Sequence, residues 1–328
     1  MTLIRIKQLL TSLITMALVA CVAGAAHAQD NYPSKPVRIL VGFAPGGLTD
    51  VYARLFAAHM QAKLGQPFIV ENKPGAATMI ATQALVRSPA DGYTLCFCVS
   101  NVLTNSFFRD KMPYQPTDLA SVGLAFRSTS VLIVPDTSPF QNAAQLVDFA
   151  KKNPGKLNYS TTGAGGATHI TGELFSSIAN IKATAVHYKG ASPATIAVGT
   201  KEVDFTFSAV NTAKPLLQDG KVRAFGVASE ERSPALQGVP TLAEKGFPAL
   251  STGVWYGLMA PAGTPAPVVE LLNRELNAYF SSAAMRERIV AGGEIPLGNM
   301  TPQQMEEYIS KDAEMLRKVI QPLNIRLD

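Results

Sequence analysis

Residues Val37–Ala57 read VRILVGFAPGGLTDVYARLFA. Val37-Arg38-Ile39-Leu40-Val41 is apolar at four of five positions, three of them β-branched, the composition of a buried strand. Gly42–Gly47 then packs three glycines and a proline into six residues, so the chain turns sharply and carries little side chain. Thr49 or Asp50 can cap a following helix, because either side-chain oxygen can accept from an orphan N–H of the first turn. Val51, Leu55, Ala58 and Met60 continue at roughly helical spacing. Strand, glycine loop and helix start together expose N–H groups at the positive end of a helix dipole, a setting that attracts anions. Taken alone, the stretch is also accounted for by an ordinary βα turn.

A second copy of this pattern supports the anion reading. Leu157-Asn158-Tyr159-Ser160 reads as a short strand, Thr161–Ala167 (TTGAGGA) as a loop, and Thr168–Phe175 as a helix start with Ile170, Leu174 and Ile178 on one face. Two such loops in opposite halves of a chain can grip one negative ligand from both sides, and a carboxylate suits both helix ends.

Outward from these loops, the pattern alternates. Candidate strands are Val37–Val41, Phe68–Glu71, Tyr93–Val99, Ser121–Ala125, Val131–Val134, Leu157–Ser160, Ala183–His187, Phe205–Ser208, Val222–Ala228 and Val254–Ala260. Candidate helices lie between most of them. This punctuation predicts α/β architecture with largely parallel sheets and a ligand site at the carboxyl ends of strands. After Pro261–Pro265 three helical segments follow, with no strand expected before Asn324–Leu327. Thr301-Pro302 supplies a capping residue and then Pro at the first helical position. The passages Ser121–Val134 and Thr252–Ala260 are long enough to carry the chain across a boundary. A second domain of residues 127–255 is then inserted into a first built from 29–126 and 256–328, with a cleft between them.

The first 28 residues read as a secretory signal. Arg5 and Lys7 precede the apolar run Leu9–Ala26, and Ala26-His27-Ala28 offers small residues for cleavage. Leu18-Val19-Ala20-Cys21 resembles a lipobox, a rival that would lipidate Cys21; cleavage after Ala28 is preferred because Gln29–Pro33 looks like the start of a secreted domain. Loss of Arg5 and Lys7 lowers the net charge from +5 to +3. That balance, with no basic run interleaved with aromatics, argues against nucleic acid. The remaining 300 of 328 residues exceed one comfortable core.

Cys96 and Cys98 are the only cysteines after the leader. Their spacing on a strand predicts two small buried hydrophobes, since a disulfide would close a very short loop. Too few ligands lie nearby for a metal. No Gly-x-Ser-x-Gly elbow, P-loop, dinucleotide fingerprint or His-Glu-x-x-His occurs, so binding without chemistry is the economical reading and no cofactor is expected. His169, in a first helical turn, either stays neutral against a local carbonyl, pairs with Glu173, or meets ligand. His187 divides evenly between structural and binding roles, and His59 reads as a surface residue.

Several segments closely resemble the Bug family, the periplasmic receptors of tripartite tricarboxylate transporters. They include Tyr32–Arg38 (YPSKPVR), Phe43–Asp50 (FAPGGLTD), Val70–Ala76 (VENKPGA), Ser88–Leu95 (SPADGYTL), His187–Gly190 (HYKG) and Trp255–Pro265 (WYGLMAPAGTP). The resemblance implies a two-domain periplasmic-binding-protein ("Venus flytrap") fold with two crossover strands, a small organic carboxylate as ligand, membrane transporter subunits as partners and a monomeric periplasmic receptor. It carries over Phe43, Ala44, Gly47 and Thr49 from the first loop, Thr162, Gly163, Thr168 and His169 from the second, and Ser100 and Asn101 after the third strand. Two positions depart from the family pattern. Gly166 stands where a Ser or Thr is usual, and Ser208 where many members have an Asp that could meet a ligand amine. An uncharged floor at Ser208 leaves room for aromatic or aliphatic acids. A periplasmic sensor for a similar anion and a secreted hydrolase are the alternatives.

Overall fold

The computed structural model describes residues 32–229, 231–247, 250 and 253–321. The leader, the Cys21 lipobox and the expected strand at Asn324–Leu327 lie outside the described residues. β1 (Val37–Val41) leads through the first glycine loop into α1 (Leu48–Leu64); β2 (Phe68–Asn72), α2 (Met79–Val86), β3 (Thr94–Val99) and the short α3 (Asn101–Thr104) follow. β4 (Leu119–Pro135) then runs for 17 residues. After it come α4 (Ala143–Lys152), β5 (Leu157–Thr161), α5 (Ala167–Ala179), β6 (Ala183–His187), α6 (Ala191–Gly199), β7 (Phe205–Ala209), α7 (Val210–Gln218) and β8 (Val222–Ala228). The chain returns along β9 (Gly253–Pro261) and ends in α8 (Ala266–Phe280), α9 (Ala283–Gly292), β10 (Ile295–Pro296) and α10 (Pro302–Ile320).

β4 joins the two strands expected at Ser121–Ala125 and Val131–Val134 into one. Its first half pairs with β9 and, at Phe126 and Arg127, with β10. Its second half pairs with β7 and β8. One set of strands therefore holds β2, β1, β3, β9 and β10, another holds β7, β5, β6 and β8, and β4 belongs to both.

The sheets are mixed, which corrects the expectation of largely parallel pairing. β1 pairs in parallel with β2 and β3, and β5 with β6 and β7, each through a crossover helix. Every pairing of β4 and β9 is antiparallel. These two strands carry the chain out and back, so they must run in opposite senses. β10 is a two-residue strand that the sequence did not signal.

Packing follows the apolar pattern. Leu132, Phe175, Phe205 and Phe207 anchor a core beneath β5 and β7, while Leu40, Leu124, Trp255 and Met259 anchor one beneath β1 and β9. An aromatic pile joins α1 and α8 to β4 and β9: Tyr52, Tyr256 and Phe280 surround Phe126, with Tyr256 stacked on Phe126 at 4.6 Å between centroids. Aromatic pairs at that spacing add to area burial and hold the rings in place. Thr301 caps α10 as expected, in a reciprocal capping box with Gln304.

Cys96 and Cys98 are buried as expected, but they are joined as a disulfide rather than left as separate thiols. Their side chains leave the same face of β3, and their Cα atoms are 5.4 Å apart, within the usual span for a bridge.

Candidate functional site

The first glycine loop is stapled by charge. The helix cap is Gly47, not Thr49 or Asp50, because the turn enters the helix at Leu48. Asp50 instead reaches back from the first turn to accept from Gly46 N–H at 3.0 Å. Arg54, one turn on, donates to the same carboxylate at 3.0 Å. Asn72, at the end of β2, donates both to Asp50 (2.9 Å) and to Phe43 C=O (3.0 Å). Burial opposes the Asp50 charge, but the bonds from Arg54, Gly46 and Asn72 outweigh it and hold the carboxyl below the usual aspartate range. The loop thus keeps its shape without placing a charge toward the ligand side.

The second loop is held by hydroxyls. Thr168 Oγ1 accepts from Thr162 N–H at 2.8 Å and lies 3.1 Å from Thr162 Oγ1. Gly163 N–H donates to Thr161 Oγ1, and Gly166 N–H to Gly163 C=O. His169 Nδ1 accepts from Gly165 N–H at 3.1 Å, which leaves the ring proton on Nε2, 3.7 Å from Glu173 Oε1. Burial, then His187 and Arg109, push the His169 pKa down to about 4, so the ring is neutral. His169 is therefore a clip on its own loop. His187 is tied to Thr161 Oγ1 at 2.7 Å, and burial lowers its pKa too, against the pull of Glu173.

The two loops meet. Ala44 N–H donates to Lys189 C=O at 3.0 Å. Gly190 has φ +141, and a Cβ there would lie 3.2 Å from Ala44 N, so glycine is required both by the backbone and by the approach. Arg109 adds a reach across to Ala164 C=O at 3.4 Å.

Between these loops lies a cavity with about 650 Å³ of empty space, its open mouth included. Seven of the expected residues line it: Phe43, Gly47 and Thr49 from the first loop, Asn101 from α3, Thr162 and Thr168 from the second, and Ser208 from β7. Ala44, Gly163, Gly166 and His169 sit behind the wall, and their polar groups bond within or between the loops. Ser100 lines a smaller neighbouring hollow with Thr104, Ala167 and Ile170. A Cβ at Gly166 would lie 2.8 Å from Thr162 Oγ1 and 3.0 Å from Gly163 O, so this loop geometry admits only glycine there.

Other lining residues escaped the sequence reading, notably Ser128, Ser130, Thr195, Thr206 and Tyr256. Ser128 and Ser130 lie two apart on β4 and so share a face; polar residues interrupting an apolar strand were the available signal. Among the described residues no Asp, Glu, Lys, Arg or His lines the cavity. The starts of α1 and α5 border it through Gly47–Thr49 and Ala167–Thr168, and their dipoles supply positive potential without a cation. Among the described residues no cluster of His, Cys, Asp or Glu could hold a metal, and no helix is long and apolar enough to cross a membrane.

Residues 52–325 match the family described as the tripartite tricarboxylate transporter family receptor. Protein BugT of Bordetella pertussis is 31% identical over 306 residues, spanning 92% of this chain and 94% of BugT. Among solved structures, Rpa4515 of R. palustris with adipate is 32% identical, with a TM-score of 0.86 over 90% of this chain and 99% of that one. MatC of Rhodopseudomonas palustris with bound malate is 28% identical, with a TM-score of 0.84 over 88% and 100%. These likenesses show a two-domain periplasmic-binding-protein fold. The chain belongs to the TctC, or Bug, family of periplasmic receptors of the tripartite tricarboxylate transporter type.

Proposed function

We propose that this protein captures a small organic carboxylate in the cavity between its glycine loops and delivers it to the membrane subunits of a tripartite transporter. The observation that carries the reading is the pairing of two helix starts with a buried cavity that has no charged side chain. Backbone N–H groups and threonine hydroxyls at Gly47, Thr49, Thr162 and Thr168 would hold the carboxylate, with Phe43 and Asn101 closing over it. The adipate and malate bound by the two relatives support the ligand class. Residues 29–126 and 256–328 would form one lobe and 127–255 the other, and a ligand would draw them together by its differential affinity for the closed form.

The test is a melt of the purified protein against a panel of small acids, with native mass spectrometry to identify any acid that copurifies. The right acid at about 100 times its Kd stabilises by about 2.7 kcal/mol. Its methyl ester, which presents no charge to the helix starts, should give far less. An ester as effective as its acid, or a panel with no effect at all, would overturn the carboxylate reading.

A further inference from the structure

The hydroxyls of the cavity wall differ in what they can offer. At Thr162 and Thr168, one backbone N–H and two hydroxyls share two contacts: Thr168 Oγ1 accepts from Thr162 N–H, and the two Oγ1 atoms share one bond. One hydroxyl proton is left for a ligand, whichever way that bond points. This end of the wall donates.

The neighbouring strip of wall, one strand over on β7, is the reverse. Thr195 Oγ1 bonds to Ala191 C=O at 2.8 Å and to Ser208 Oγ at 2.8 Å, and Ser208 Oγ also reaches Ala209 C=O at 3.3 Å. Two protons serve this chain. If Thr195 donates to Ala191, Ser208 donates to Thr195; if Thr195 donates to Ser208, Ser208 donates to Ala209. In both of these fully bonded arrangements the two protons stay inside the protein. Thr206 Oγ1 donates to Ser160 C=O at 2.7 Å, so its proton is committed too. Three oxygens, all at least 97% buried, therefore turn lone pairs toward this part of the cavity. Ser130, across on β4, has no such backbone bond and can act in either sense. The start of α6 also borders the cavity, through Ala191, with Ser192 Oγ 3.7 Å from where a Cβ on Gly46 would sit, beside the first glycine loop.

We propose that the β7 wall is a specificity element that selects an acid whose far end carries a neutral hydrogen-bond donor, a hydroxyl or an amide N–H, over one that ends in a second carboxylate. This rests on the carboxylate reading above. A second carboxylate set against β7 would face three oxygens whose protons are committed, and among the described residues no cation lines the cavity. Such an under-bonded buried charge is heavily penalised, whereas a donor satisfies oxygens that are otherwise short of a partner.

The experiment is isothermal titration calorimetry on ligand-stripped protein with straight-chain acids of three to six carbons. At each length the probes are the ω-hydroxy acid, the diacid and the unsubstituted acid, for example 6-hydroxyhexanoate, adipate and hexanoate. At the best length the hydroxy acid should bind at least tenfold tighter than the diacid. Ser208→Ala should weaken the hydroxy acid roughly three- to tenfold, the range for one neutral hydrogen bond, and weaken it more than the unsubstituted acid. Thr195→Val, which breaks the same proton chain from behind, provides a second variant. Diacids that match or exceed the hydroxy acids at every length overturn this inference and leave the carboxylate reading intact. Failure of every acid to bind overturns both.

Discussion

Replacing Glu294 by Gln should flatten the dependence of stability on pH across the neutral range. Glu294 precedes β10 at the point where β4 passes from one set of strands to the other. Its side chain is 4% exposed, and neither carboxyl oxygen has a hydrogen-bond partner in the described residues. Tyr52 on α1 and Tyr256 on β9 feel its charge, Asn211 on α7 lies against it, and Lys214 on α7 is the nearest cation acting on it. Burial lifts its pKa from 4.5 to about 8; the nearby backbone N–H groups of Glu294 and Asn211, neither in full hydrogen-bond geometry, and the charge of Lys214 only restrain the rise. Between those two values the folded chain holds a proton that the unfolded chain has released. Its contribution is therefore fully present below pH 4.5 and is lost as pH rises to about 8. The slope is at most about 1.4 kcal/mol per pH unit, and the whole swing is on the order of 5 kcal/mol. Glutamine keeps the shape and removes the titration. Urea unfolding of both proteins at half-unit steps from pH 5 to 8 gives the difference directly, and other titrating groups cancel in it. His169 acts in the opposite sense: with a folded pKa of about 4 against 6.5, its contribution is present above pH 6.5 and lost as pH falls toward 4. Above pH 6.5 it is silent, which leaves that window clean. A stability difference that stays constant within about 0.5 kcal/mol from pH 5 to 8 would refute the buried-proton account, since one fully shifted group demands several times that.

Thr168→Val should strip the acceptor from Thr162 N–H and cost roughly 1–3 kcal/mol, read by chemical denaturation. Gly172→Ala should destabilise by about 1–3 kcal/mol, because its Cβ would sit 2.2 Å from the ring of the fully buried Tyr159; an unchanged melt would mean that ring can move. Gly190→Ala should cost on the order of 1–3 kcal/mol through its φ of +141, and it should also raise hydrogen exchange at the Ala44 amide, which now donates to Lys189.

Much of this architecture is written in local pattern. The β1 strand, the start of the second helix face and the Thr301 cap all follow from residue type and spacing, because each is decided within one or two turns of chain. The direction of β4 and β9 is not local. Parallel or antiparallel pairing depends on where the chain goes after residue 135, and nothing within Leu119–Pro135 records it. The loops were legible as anion cradles, but their division of labour was not. Ala44, Gly163 and His169 have the same loop chemistry as Gly47, Thr162 and Thr168, and only the fold decides which groups bond to the protein and which face the cavity. Thr195 is 13 residues from Ser208 and reads as an unremarkable helix residue until α6 lays it against β7. The Cys96–Cys98 bridge escaped for a related reason: loop length argued against it, while the shared strand face argued for it, and the second consideration prevails in the structure.

The continuity of β4 has a consequence for how the molecule comes apart. At about 3.3 Å per residue a strand of this length spans roughly 56 Å, and each half supplies the hydrogen bonds of a different core. Neither lobe can melt without unpairing a strand that the other needs, so heating should give one cooperative transition, with calorimetric and van't Hoff enthalpies in agreement. The same continuity makes the lobes poor candidates for separate expression. A fragment of residues 127–255 would keep the second half of β4 but lose most of the returning strand beside it. Only the pairs Arg127–Trp255, Ser128–Val254 and Thr129–Gly253 would remain of that ladder, its truncated ends would be open to other chains, and such a fragment should aggregate rather than fold.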